Sequence, residues 1–187
     1  EEDDLIDDEL IEIFVEEAGE VLETINENLP LWRQNHESEE ALTEVRRAYH
    51  TLKGSGRMVG AMVVGELGWS VENMLNRVID NSVPTNDAVI GIVETVTGVI
   101  PELVKNFEER TKPTLNVTAL AAVADALAKG ETPPPIPENL HLESDVPVTT
   151  EEAPAQEELA QEMTEVGATE LAEATLEPAE ETDEGSE

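Results

Sequence analysis

The chain of 187 residues carries 44 acidic and 10 basic side chains, a net charge of -34 at pH 7. That balance disfavours nucleic acid and anionic lipid, which are bound through clustered Lys and Arg, and the absence of cysteine excludes disulfides, thiolate zinc sites and thiol catalysis. No apolar run reaches the ~18 residues of a membrane span, and the opening EEDDLIDDEL is the reverse of a cationic signal peptide. A start on Glu1 rather than Met reads as a piece of a longer, cytoplasmic protein.

Helical periodicity begins at once. Leu10, Ile11, Phe14, Val15, Ala18, Leu22, Ile25 and Leu29 recur at three- and four-residue spacing, and Pro30 is expected to limit or bend that helix. Ser38 followed by Glu39 and Glu40 predicts an N-cap with acids at the positive helix end. The second helix buries Leu42, Val45, Tyr49 and Leu52 and stops near Gly60. A third spans about Val64 to Asp80 with Leu67, Val71, Met74, Leu75 and Val78 inward, and a turn follows from Asn81 to Pro84. A long apolar stretch, Asn86 to Arg110, is expected to kink near Gly98 and Pro101. A last, Ala-rich helix covers Val117 to Lys129. Short connections between such helices predict an all-α, up-and-down antiparallel bundle: four core helices plus an additional C-terminal one.

All ten basic residues lie before position 130. From Glu131 onward there are 18 acidic residues, no basic ones and seven of the eleven prolines. Few large apolar groups in a like-charged chain do not offset the entropy of ordering it. The expected division is therefore a helical domain over 1–130 and a disordered acidic, Pro-rich linker over 131–187, with weak helical spacing over 151–176.

The chemistry is concentrated on the second helix. Arg46, His50, Lys53 and Arg57 stand at i, i+4, i+7 and i+11, a stripe roughly 60° wide opposite the core face. An exposed imidazole among three cations, in a chain this acidic, predicts an anion at His50. Gly54 lies one turn after His50 on the same face, and Gly in a helix costs ~1 kcal/mol relative to Ala. Two readings fit it: clearance for something that approaches His50 closely, or tight packing against a neighbouring helix.

The segment YHTLKGSGRMVGA, residues 49–61, closely resembles the phosphoacceptor motif of histidine phosphotransfer (HPt) domains, in which Lys and Gly follow the His at the third and fourth positions. ELGWSVENMLNRV, residues 66–78, resembles the next helix of the phosphotransfer domain in chemotaxis kinases. The resemblance implies His50 as phosphoacceptor and Glu72 as the carboxylate that hydrogen-bonds its imidazole, with Trp69 where a second polar residue often stands. It covers roughly residues 7–112. The wording of residues 46–61 and 69–78 is most similar to the large kinases that control type IV pilus twitching motility.

Residue chemistry fits those roles. A neutral imidazole is a competent nucleophile toward phosphorus. A carboxylate on Nδ1–H fixes the tautomer and leaves Nε2 free, and Lys53 and Arg57 are expected to face the phosphoryl oxygens. For Glu72 the alternative is a solvated side chain paired with Arg77 or Asn76. The implied partners are a kinase catalytic domain that supplies ATP and a receiver domain that supplies magnesium and the accepting aspartate. No phosphate loop is present. The module is expected to be a relay without its own cofactor or metal, not an enzyme. The rival reading is a docking or scaffold domain that has lost phosphotransfer. His36 reads as a loop residue, His141 as part of the acidic tail, and Trp32 and Trp69 as core or interface residues. The N-terminal acids lack EF-hand spacing.

Overall fold

The computed structural model describes residues 2–142, with side chains from Asp8 onward. Among them are five helices: α1 Glu2–Gln34, α2 Glu39–Val59, α3 Met62–Ile79, α4 Asp87–Glu108 and α5 Val117–Ala128. α1 packs on α2 and α2 on α3, α4 closes the ring against α1 and α3, and α5 lies against α3 and α4. This is the all-α bundle with an added C-terminal helix that the periodicity predicts. Each turn is sealed locally. Ser38 Oγ accepts from the Ala41 amide, and Gly60 ends α2 at φ 85°. Asn86 and Asn116 accept from the amides of Val89 and Ala119.

Neither interior proline ends its helix. α1 continues through Pro30 to Gln34, and α4 continues through Gly98 and Pro101 to Glu108. An interior proline costs ~3 kcal/mol. Against that, Leu29 and Trp32 are buried around Pro30, and Ile100, Leu103 and Val104 around Pro101. Stripping one large core side chain typically costs about 3–5 kcal/mol, so packing outweighs the lost backbone bond.

Tyr49 sets the rotation of α2. Its hydroxyl lies 2.8 Å from Thr97 Oγ1, which itself donates to the Val93 carbonyl at 2.7 Å. With the Thr97 proton committed, the Tyr49 hydroxyl is the donor. Burial pushes the phenol well above its ordinary value, against the opposing pull of Thr97. Holding Tyr49 inward turns the next residue, His50, to solvent.

The expected boundary at Gly130 does not mark the end of the folded body. Residues 131–142 run back along the α4–α5 connection, where Leu115 pairs with His141 in a single antiparallel bridge. The Asn116 amide donates to the Leu140 carbonyl and the Leu142 amide to the Thr114 carbonyl, each at 2.7 Å. Leu140 packs on the core beside buried Leu115. Composition averaged over a tail does not register one leucine that packs on the core. The chain divides after Asp145; residues 143–187, including the helical spacing over 151–176, lie outside the described residues. A chain ending at Gly130 is expected to lose about 1–2 kcal/mol and melt several degrees lower, whereas one ending at Asp145 should melt with the full chain. Equal melting of all three by circular dichroism would show that the return segment contributes nothing.

Candidate phosphoacceptor site

His50 projects from the middle of α2 with its side chain 59% exposed, and Glu72 projects from α3 with its side chain 7% exposed. The imidazole Nδ1 is 2.6 Å from Glu72 Oε1. The alternative pairing of Glu72 with Arg77 or Asn76 does not occur. Lys53 Nζ sits 2.5 Å from Glu72 Oε2 and 3.4 Å from His50 Nδ1. A nitrogen that donates its proton to Glu72 has no lone pair for a second donor, so the ammonium is held by Oε2. Burial pushes the Glu72 carboxyl up. Hydrogen bonds from Lys53 and His50, with their charges, outweigh that and leave it below its ordinary value. A carboxylate held ionised at Nδ1 selects the tautomer whose Nε2 lone pair faces solvent.

Lys53, expected to face phosphoryl oxygens, is only 19% exposed and is paired with Glu72, whose carboxylate it holds. Arg57 is bonded across to Glu66 at 3.1 Å. Arg46 is half-buried, its Nε without a hydrogen-bond partner among the described residues. The stripe shares one face, but helical spacing alone did not reveal that α3 supplies acids to two of its cations. His36 is exposed in the turn before α2. His141 Nδ1 lies 3.1 Å from Thr114 Oγ1 and 3.7 Å from a Glu102 oxygen, as part of the return segment. Among the described residues no group of acids and histidines could hold a metal ion, and no helix is long and apolar enough to cross a membrane.

The two α2 glycines have different jobs. A Cβ on Gly54 would meet nothing within 4 Å, whereas one on Gly56 would stand 3.1 Å from the Gly65 amide nitrogen and 3.3 Å from the Ala61 carbonyl. On α3, a Cβ at Gly65 would come within 2.9 Å of Arg57 Cγ, and Gly68 abuts the Lys53 backbone. Gly56, Gly65 and Gly68 bring the two backbones close enough for Glu72 to reach His50. Gly54 was legible from the sequence, whereas Gly65 and Gly68 were not, although their three-residue spacing on a helix was the available signal. Gly54→Ala is expected to raise stability by up to ~1 kcal/mol while slowing transfer to a partner that covers His50. Gly56→Val is expected to cost about 1–3 kcal/mol, because the added atoms meet backbone that has no rotamer to change. Matched thermal melts of the two variants check the contrast; a Gly56→Val melt like wild type would sink it.

The site stands proud of the surface. His50 lines none of four clefts that open among the described residues. An exposed imidazole, oriented from below by an ionised carboxylate, is built to be reached by another macromolecule rather than to enclose a small substrate.

Comparison with known proteins places this arrangement. The family model described as "Hpt domain" matches residues 9–109. The chain is 25% identical over 122 residues to "Chemotaxis protein CheA" of Listeria monocytogenes, an alignment spanning 65% of this chain and 20% of that protein. It is 28% identical over 100 residues to "Chemotaxis protein CheA" of Borreliella burgdorferi, spanning 54% of this chain and 12% of the relative. The chain thus covers a fifth or less of these relatives. Among solved structures, the phosphorylated P1 domain of CheA3 in complex with CheY6 from R. sphaeroides superposes with a TM-score of 0.60 at 19% identity. That match covers 67% of this chain and 99% of the other.

Proposed function

Because the chain belongs to the Hpt domain family, and so is a phosphorelay phosphotransfer module rather than a kinase, we propose that His50 is its phosphoacceptor. The observation that carries this reading is the 2.6 Å contact between His50 Nδ1 and buried Glu72. Nε2 attacks phosphorus, an N–P bond forms, and the P–O bond to the donor's leaving oxygen breaks. Positive charge develops on the ring, and the Glu72 carboxylate, itself held by Lys53, stabilises it through the Nδ1 proton. Transfer onward reverses the geometry: an aspartate oxygen of a receiver attacks, and the imidazole leaves with its Nδ1 proton still directed at Glu72.

The module works within a longer chemotaxis-type kinase whose catalytic domain supplies ATP, and its partner downstream is a response-regulator receiver. The CheA relatives and the CheY6 complex of the structural neighbour support that reading. The wording of residues 46–61 further favours the kinases of type IV pilus twitching motility, acting in the cytoplasm. Arg46 and Arg57 border the acceptor and Gly54 leaves it unobstructed, as binding residues for the partner.

The test uses the full chain, a CheA-type kinase domain and radiolabelled ATP. Label on the chain that is lost in acid and survives alkali is expected, followed by its transfer to a receiver when magnesium is added. Label absent from the chain while the kinase autophosphorylates a known acceptor would favour the scaffold reading instead.

A further inference from the structure

Trp69 is a large apolar side chain left 42% exposed on α3, whose Met62 and Val63 are exposed as well. It stands three residues before Glu72, one turn of α3, roughly 5 Å along the axis. Its indole separates two clefts along α3 and α5: one with Met62, Val63, Val117 and Ala121, the other with Asn73, Arg77 and Ala128. Trp69 is not among the buried core residues, whereas Trp32 packs inside at 0% exposure.

A macromolecule that takes a phosphoryl group from His50 must cover His50. Specific partners bury about 800 Å² on each side, a disc roughly 16 Å in radius. Such a footprint centred on His50 extends well beyond one turn past Glu72 and takes in Trp69. Inside a footprint, tryptophan is among the residues that most often dominate affinity. Gly54, open one turn after His50 on α2, and the exposed indole one turn before Glu72 on α3 offer a recess and a knob to a partner that covers the acceptor.

We propose that Trp69 is the aromatic anchor by which this module selects its receiver, filling an apolar recess on the receiver as its aspartate meets His50. This rests on the reading of His50 as acceptor. Trp69 is a specificity-determining residue, outside the chemistry itself.

The chain has two tryptophans, one buried and one exposed, so iodide quenching reports Trp69 selectively. The receivers that accept phosphoryl from wild type define the probe. Adding the fastest of them, unphosphorylated, to the full chain should shield the accessible indole from iodide. Trp69→Ala should weaken binding about 30-fold, with labelling of His50 by the kinase domain within about twofold of wild type, and Trp69→Phe should recover most of the loss. Wild-type affinity and transfer rate in Trp69→Ala, with His50 still labelled, would overturn the proposal and leave the acceptor assignment standing. No transfer to any receiver from labelled wild type would overturn both. Shielding that grows with chain concentration when no receiver is present would assign the indole to a contact between copies, and would also overturn it.

Discussion

His50→Gln is expected to abolish acid-labile phosphorylation and change stability by no more than ~0.5 kcal/mol, the usual range for a surface substitution. The imidazole is more than half exposed and contributes little packing. Glutamine keeps a polar group near Glu72 but has no nucleophilic ring nitrogen. Neither other histidine offers an alternative: His36 is exposed in a turn, and His141 lies by Thr114 and a carboxylate, Glu102, that is itself 40% exposed. Acid-labile label persisting on the variant, measured beside an unchanged far-ultraviolet spectrum, would place the acceptor elsewhere.

Glu72→Gln is expected to slow phosphorylation of His50 by ~10²-fold, within the range of removing a positioned acid–base partner. Two things are lost together: the charge that stabilises the developing imidazolium and the acceptor that fixes the tautomer. Lys53 is also left without its counter-ion in a mostly buried position, which should cost about 1–2 kcal/mol, less than for a fully buried pair. The pH dependence follows from the lowered Glu72 value. A carboxyl held below its ordinary 4.5 contributes stability that is present above that value. The contribution is lost as pH falls through the lower native value. The variant should lack that part of the acid limb. Nitrogen NMR of the ring should show a wild-type imidazole protonated at Nδ1 and a mixture of tautomers in Glu72→Gln. An unchanged tautomer with an unchanged rate would reduce Glu72 to a structural contact.

The helices were legible because buried residues recur at helical spacing, and because Ser38, Gly60 and Gly130 terminate them as local chemistry dictates. His50 was legible because local and global charge have opposite signs around it. The features that were not legible depend on contacts between segments. Pro30 ends a helix only if too little is buried beyond it, and Trp32, fully buried two residues on, carries α1 past the proline. Lys53 looked free because helical spacing shows which face a side chain shares but not which acid on another helix it meets. The return of the chain to the bundle was not legible because a tail averaging to strong acidity still contains Leu140, which packs on the core. Glu72 was legible through its resemblance to known sequences, whereas Gly65 and Gly68, which help it arrive, were not.

The crossing of Gly56 and Gly65 has a consequence for how such a module can be rewired. The reach of Glu72 to His50 is set by two backbones in contact, so it is inherited with the scaffold rather than with the surrounding side chains. The exposed residues Gly54 and Trp69 near the acceptor lie outside that crossing and can be exchanged with little loss of fold. Nucleophile and address are separable. A related module with the same glycine crossing should accept this rim of residues as a graft and change receiver, while its histidine keeps its own reactivity.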